Sequence, residues 1–527
     1  MKNVLLGSAC AFAALAASPA LAGAPGSPQS DTAFITQGAN TGTAASFQTG
    51  SNDFSEIDQL GSTSSQNVAT ATMNGIVGGR SVITQSGTSN LAQVTTADDG
   101  TVQTGASAPI TISTINQSGS MNQAFVDQLA QTNASPTTSA ISQSASGNYA
   151  LVIQRDNTQS SVLAQTSDGN IANIYQGLDN STSNTSFGNH SEINQGGSAG
   201  ANYALVTQTH AMNSQSYLTQ FGSNGSAKVT QADDGTGLGN NTSTTSQYGA
   251  HNLAIVSQTG YNNSSTVTSI KDLNSANIVQ VGHDNASTVH QSADTGSLAL
   301  SGSEIGVAIS PGGGTNQTSM TVVNQFGSYL SSTAKSDGAS DFAFVRQGTP
   351  GGFDSHLFSW VDQTSAGSSN IAFVDQVGTG QFSYFSQSGV GNQAGATSNG
   401  SNGLGGALGI HQAGNGNYSL AHQTGSNGTI NVVQNNNGAL TRSIRPGLDT
   451  PPGDNTSLVN NYSIINQDGM GNSALVTQTG DGNLADVDQF AGSSGNVATI
   501  SQSLDGGVAA VTQFGAGNNA LIVQGSH

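Results

Sequence analysis

Four short stretches hold residue types that can do chemistry. Ser332-Thr333-Ala334-Lys335 spells S-x-x-K, a motif that pairs a nucleophilic hydroxyl with an amine. Asp486 and Asp488 place two carboxylates two residues apart, about 7 Å along an extended chain. Such a pair can transfer protons or bind calcium. His411 and His422 are candidate metal ligands. Gly403-Leu404-Gly405-Gly406-Ala407-Leu408-Gly409 approaches a dinucleotide-binding loop.

Each weakens in its surroundings. The glycine stretch misses the final glycine spacing and has no βαβ unit around it. The S-x-x-K motif needs a helix to bring its ends together, and no segment has amphipathic helical periodicity. On a strand, Ser332 and Lys335 point to opposite faces. His411 and His422 each precede a glutamine and are eleven residues apart, which puts them outward on opposite sheets. Asp486 and Asp488 read best as surface charge that discourages unwanted pairing. The two Ala-Asp-Asp-Gly stretches, at 97–100 and 232–235, read as turns. No catalytic, metal or cofactor site is expected.

The regular chemistry of this chain lies in its amides. Sixteen pairs of glutamines stand eleven residues apart, out of 43 glutamines in all. Spacing this regular is the signature of a repeat architecture. In Asn472–Gln489 the unit is N-x-A-x-V-x-Q, written twice: Asn472, Ala474, Val476, Gln478, then Asn483, Ala485, Val487, Gln489. Ser269 and Ser336 keep the lattice where glutamine is missing. Alternation at period two is a strand signal. The Gly and Asp or Asn residues after each glutamine supply a tight turn.

The fold class that follows is all-β. It is a two-sheet parallel β-solenoid of about 22-residue strand–turn–strand coils, each made of two 11-residue half-repeats. Stacking the coils puts glutamine over glutamine, so each buried amide donates to one neighbour and accepts from the other. The solenoid is expected over 37–527, after a leader at 23–36. Irregular loop insertions or distorted coils are expected near 61–80, 97–112, 178–190, 294–320, 394–408 and 438–458.

Composition sets the remaining limits. Charged residues are 7% of the chain, against about 25% in ordinary globular proteins. The net charge is −20 with nine Lys and Arg. Binding to nucleic acid or to anionic lipid needs clustered cations, which are missing. The basic start MKN, the apolar run after it and Ala20-Leu21-Ala22 read as a signal peptide over 1–22 that implies export. Cys10, the single cysteine, falls inside it. A mature chain starting at Gly23 has no thiol, no disulfide and no membrane-spanning helix.

The repeat resembles that of the curlin family, the subunits of bacterial curli fibres, with its pattern S-x5-Q-x-G-x2-N-x-A-x3-Q. The portion Q-x-G-x2-N-x-A-x3-Q occurs intact over Gln117–Gln128, Gln247–Gln258, Gln467–Gln478, Gln478–Gln489 and Gln513–Gln524. Asn122 and Asn472 stand where the family has its leading serine. The resemblance implies an exported subunit of extracellular amyloid in the biofilm matrix, active in surface adhesion. Its implied partners are itself, related curlin subunits, a nucleator and an outer-membrane export channel. The implied interior ladder residues are Gln117, Asn122, Gln128, Gln247, Asn252, Gln258, Gln467, Asn472, Gln478, Asn483, Gln489, Gln513, Asn518 and Gln524. Two other readings stand beside it. One is a monomeric solenoid adhesin or ligand-binding surface protein. The other, a parallel β-helix polysaccharide-active enzyme, is disfavoured by the strict half-repeat and scarce cations.

Overall fold

The computed structural model describes residues 31–525, apart from 38–41, 52, 61–65, 99–110, 131–135, 156–157, 178–187, 198–199, 234–238, 293–319, 337–340, 349–354, 364–369, 391, 395–409, 416, 427–428, 436–460, 481, 491–493 and 504. The chain divides into two units, Met1–Gln176 and Gly177–His527. Every element among the described residues is a strand or a turn.

In the first unit successive strands alternate between two sheets. One sheet holds Thr32–Gln37, Phe54–Leu60, Arg80–Ser86, Thr111–Gln117, Thr137–Gln143 and Ser160–Gln165. The other holds Thr43–Ser51, Val68–Val77, Leu91–Asp98, Gln123–Ala130, Tyr149–Arg155 and Ile171–Gln176. Each strand pairs in parallel with the next but one, so two strands make a coil and the coils stack. Register is held glutamine on glutamine: Gln59 faces Gln85, Gln85 faces Gln117, and Gln117 faces Gln143.

The second unit repeats the scheme from His190–Gly196 and Tyr203–Thr209 through to Val508–Gln513 and Asn519–Gln524. One rung is split: Gln393–Ala394 and Ile410–Asn415 both pair with Ile371–Thr379. The step between stacked glutamines is 22 residues from Gln143 to Gln165, and 45 from Gln280 to Gln325. Extra residues therefore enter at the turns, and the inward pattern resumes in phase. Phase must resume because a slip of one residue would turn every inward side chain to solvent.

The two sheets carry different cores. In the first unit's first sheet the inward residues before glutamine are Ser and Ile, as in Ser139-x-Ile141-x-Gln143, all buried. The facing sheet uses Ala and Val, as in Ala124-x-Val126-x-Gln128. Small side chains at the first position let the sheets approach. Some serine hydroxyls reach across: Ser113 Oγ donates to Gln128 Oε1 at 2.6 Å and Ser191 Oγ to Gln208 Oε1 at 2.9 Å. Others, among them Ser81, Ser139 and Ser265, bury the hydroxyl without a hydrogen bond. At the turns, glycines with positive φ stack closely. A Cβ on Gly222 (φ 149°) would run into the Gly249 carbonyl.

Two boundaries differ from the sequence reading. Residues 68–77, inside the insertion expected near 61–80, form a full strand that pairs on both sides. Its inward residues Asn67, Ala69 and Ala71 keep the lattice, but Met73 takes the glutamine slot. A search for spaced glutamines passes over it. Thr96, also buried, substitutes in the next rung. Thr32–Gln37 is already a strand of the first coil, so the solenoid begins within the expected 23–36 leader. The expected signal peptide at 1–22 lies outside the described residues. So do nearly all of the expected insertions at 97–112, 178–190, 294–320, 394–408 and 438–458.

Candidate functional site

The amides form long one-way columns. In the first unit Gln59 Nε2 donates to Gln85 Oε1 (3.0 Å), Gln85 to Gln117 (2.8 Å), Gln117 to Gln143 (2.7 Å) and Gln143 to Gln165 (2.8 Å). On the facing sheet Gln128 donates to Gln154 and Gln154 to Gln176, both at 2.8 Å. In the second unit one sheet runs Gln195, Gln220, Gln247. The other runs Gln208, Gln231, Gln258, Gln280, Gln325, Gln347, Gln376. Further along, Gln467 donates to Gln489 and Gln489 to Gln513, while Gln434, Gln478, Gln502 and Gln524 follow one another on the facing sheet.

Every one of these bonds donates toward the higher-numbered coil. In most of these amides the second N–H has a separate use. Gln478 Nε2 also donates to Tyr462 O (2.9 Å), Gln258 to Thr242 O (3.0 Å) and Gln117 to Leu91 O (3.1 Å). These carbonyls lie on the facing sheet. One side chain thus joins coil to coil and sheet to sheet. Where serine replaces glutamine a hydroxyl continues the column: Ser269 Oγ donates to Gln291 Oε1 at 3.3 Å, and Ser336 Oγ to Gln363 Oε1 at 3.0 Å.

The asparagines do something else, which the spacing did not reveal. Asn122 Oδ1 accepts the backbone N–H of Asn148 (3.0 Å), and Asn90 Oδ1 accepts that of Asn122 (3.0 Å). Asn122 Nδ2 caps two carbonyls, Ser118 O and Ala145 O. Asn252 binds the Asn274 N–H, and its own amide donates to Tyr248 O and Lys271 O. Asn472 accepts from Asn496, and Asn483 from Gly507. Asn518 N donates to Asn496 Oδ1. This column pins each turn to the next through backbone groups. Without it, buried turn N–H groups would lack partners.

The other candidates are scattered. Ser332 is buried and inward while Lys335 is outward on the same strand. Asp486 and Asp488 share the outward face of Leu484–Gln489. Burial and the neighbouring Asp488 push the Asp486 carboxyl up, while Asp488 accepts from Asn466 Nδ2 at 2.8 Å. His411 and His422 lie on strands of different sheets, and the side chain of His411 lies outside the described residues, as does Gly403–Gly409. Among the described residues no three His, Cys, Asp or Glu gather to hold a metal, and no helix is long and apolar enough to cross a membrane.

The end rungs differ from the middle. Thr32–Gln37 pairs on one side only among the described residues, with Phe34 56% and Ile35 47% exposed. Asn519–Gln524 also pairs on one side, with Leu521 68% and Val523 67% exposed. Residues 32–51 and 508–524 contain no Asp, Glu, Lys or Arg, although the chain carries −20. Gln513 and Gln524 accept from the preceding rung and donate to Val497 O and Val508 O. At the other end the turn column starts with acids: Asp31 Oδ1 accepts Asp53 N, and Asp53 Oδ1 accepts Gly79 N. Burial pushes the Asp53 carboxyl up to about 7. The Gly79 N–H works against that shift and Asp31 adds to it.

One coil and a half, Tyr462–Met470, Ser473–Thr479 and Leu484–Gln489, carries Gln467, Asn472, Gln478, Asn483 and Gln489 in these two columns. Residues 460–490 match the family model of the curlin associated repeat. This stretch is a curlin-type repeat. The chain as a whole matches no curated protein. Beyond 460–490, the geometry of the curlin-type repeat recurs coil after coil with its glutamine, its turn asparagine and its parallel register. Such repeats belong to a structural family.

Proposed function

We propose that this protein is an exported structural subunit that assembles end to end into curli-like extracellular fibres serving biofilm matrix and surface adhesion. The observation that carries this reading is the pair of apolar end rungs without charged residues, each paired on one side among the described residues, that bound a stack of in-register coils. An unpaired strand edge is a template for another chain, and cross-β stacking extends it without limit. The surrounding negative charge disfavours side-by-side contact. The partners under this reading are further copies, related curlin subunits and a nucleator. Export runs through the signal at 1–22 and a dedicated outer-membrane channel.

The test is dilution of purified Gly23–His527 from denaturant, followed by thioflavin T fluorescence and electron microscopy. Fibres that seed fresh protein and diffract at about 4.7–4.8 Å are expected. A β-rich monomer that stays soluble for days would refute the reading. Gln513→Glu and Gln524→Glu should slow elongation, because each buries a carboxylate where an amide donor is required. Unchanged growth in both variants counts against this end as the growing edge.

A further inference from the structure

At one corner of the second unit, two successive rungs bring a serine, a histidine and an aspartate together. His283 stands in register with Tyr261 on one side and Ser328 on the other. Ser328 Oγ lies 2.6 Å from His283 Nε2, and His283 Nδ1 lies 2.8 Å from Asp284 Oδ2. Both contacts are satisfied at once when neutral imidazole carries its proton on Nδ1, facing the carboxylate. Nε2 then accepts from the serine hydroxyl. The order is nucleophile, base and orienting acid, and it is recognised by geometry rather than by chain order.

The constellation is braced. Asn262 Nδ2 donates to the second carboxylate oxygen, Asp284 Oδ1, at 3.1 Å. The Tyr261 ring lies flat on the imidazole, centroids 4.8 Å apart and planes within 4°. Tyr329 meets it edge-on at 5.4 Å. The imidazole is thus held in plane by one rung and against the serine by the next. The His283 and Asp284 side chains are 31% and 28% exposed, and Tyr329 is 52% exposed. A small ester can reach the serine from solvent. The other columns of the fold do not require this arrangement: the residue after the turn glycine is Tyr at 261, His at 283 and Ser at 328.

We propose that Ser328, His283 and Asp284 form a serine-nucleophile esterase centre on the solenoid surface, acting on small activated carboxylic esters. In acylation Ser328 Oγ bonds to the ester carbonyl carbon and its proton passes to His283 Nε2; the bond to the leaving oxygen then breaks, and His283 gives that proton to the departing alcohol or phenol, which restores the neutral imidazole. In deacylation His283 Nε2 takes a proton from water. The water oxygen bonds to the acyl carbon, the acyl–Oγ bond breaks, and the proton returns to Ser328. The sum is ester plus water giving acid plus alcohol. A positioned base contributes about 10²–10⁴-fold. The expected substrates are therefore esters with a good leaving group.

The experiment uses the full-length protein with p-nitrophenyl acetate as the probe, and phenylmethylsulfonyl fluoride followed by peptide mass spectrometry. Expected are a loss of at least tenfold in kcat/KM in both Ser328→Ala and His283→Gln, and a smaller loss in Asp284→Asn. The sulfonyl adduct should map to Ser328 and disappear in His283→Gln. Hydrogen exchange over 320–328 shows whether each variant keeps its rung. An Ser328→Ala protein that is folded and hydrolyses the ester at the wild-type rate overturns the proposal, since the activity would then belong to other surface histidines. Absence of the adduct at Ser328 in the folded wild type overturns it too. This inference does not depend on fibre formation and can be read on the monomer.

Discussion

Replacing Gln478 tests whether the amide column behaves as one object. Gln478 accepts from Gln434 at 2.8 Å, donates to Gln502 at 2.9 Å and donates to Tyr462 O. Gln478→Leu keeps the volume and removes all three bonds. It leaves two orphans in the column, an N–H on Gln434 and an Oε1 on Gln502, both residues buried. Each buried orphan costs roughly 1–3 kcal/mol, so the single variant should lose about 2–6 kcal/mol locally. Gln502→Leu alone should cost somewhat less, because it orphans buried Gln478 while Gln524, half-exposed on the end rung, can turn to water. The double variant also leaves only two orphans, on Gln434 and Gln524. Its column cost should therefore match that of one single variant instead of their sum, apart from the second lost bond to the facing sheet, Gln502 to Leu484 O. That bond adds about 1 kcal/mol. Neighbouring sites should thus show a coupling energy of at least 2 kcal/mol, whereas Gln478→Leu with Gln231→Leu, far along the chain, should be additive. Stacked repeats unfold in segments, so the assay is native-state hydrogen exchange of 473–479 and 497–502. Additive costs for Gln478 and Gln502 would refute the column argument.

Three further outcomes follow from the same geometry. Asp53 has its native carboxyl pKa raised to about 7, so the folded rung binds a proton that the unfolded chain releases; its stability is full below about pH 4 and falls as pH rises toward 7. Asp53→Asn should remove that slope, worth roughly 2 kcal/mol after solvent screening at this end rung, read by exchange of 54–60 across pH. Met73→Gln should be neutral or stabilising by about 1 kcal/mol, because an amide there can receive Gln48 and supply a partner to the buried, unpaired Thr96 hydroxyl; urea melts that show a loss above that size would mean the slot is shaped for methionine. Gly222→Ala places a Cβ against the Gly249 carbonyl at positive φ and should cost at least about 2 kcal/mol, seen as local loss of protection at 215–221.

The fold was legible because glutamine spacing reports coil length directly. Where the slot held Gln478, Gln489 or Gln513, counting elevens sufficed. It failed at Met73 and Thr96, where the position is kept by burial and shape while the side chain changes class. Nor could spacing separate the two sheets, since Ser139 and Ala124 are both small and inward. The asparagine columns were visible as a pattern but not as a mechanism. Asn122 differs from Gln128 in reach, and its shorter arm meets the turn backbone before it meets another amide. The Ser328–His283–Asp284 cluster was hidden more deeply. Ser328 lies 45 residues beyond His283, and only the in-phase return of the strand after 293–319 puts the two side by side.

The direction of the amide bonds bears on assembly. In every glutamine column the Nε2 group donates toward the higher-numbered coil. The rung Asn519–Gln524 therefore ends its column on an amide donor at Gln524, whereas Gln37 begins the first unit's column with a carbonyl acceptor. Two like ends would set donor against donor or acceptor against acceptor. Two unlike ends set the amide donor of Gln513 against the acceptor of Gln37, with Ala509 and Val511 over Ala33 and Ile35. A contact of that kind joins different surfaces on the two partners, and unless its rotation closes a ring it continues as a filament. The amide polarity thus favours head-to-tail growth over a closed dimer, independently of how much apolar surface the ends bury. Chains blocked at one end should then stop growth there while the opposite end keeps elongating, which seeded assembly with a Gln524→Glu protein can measure.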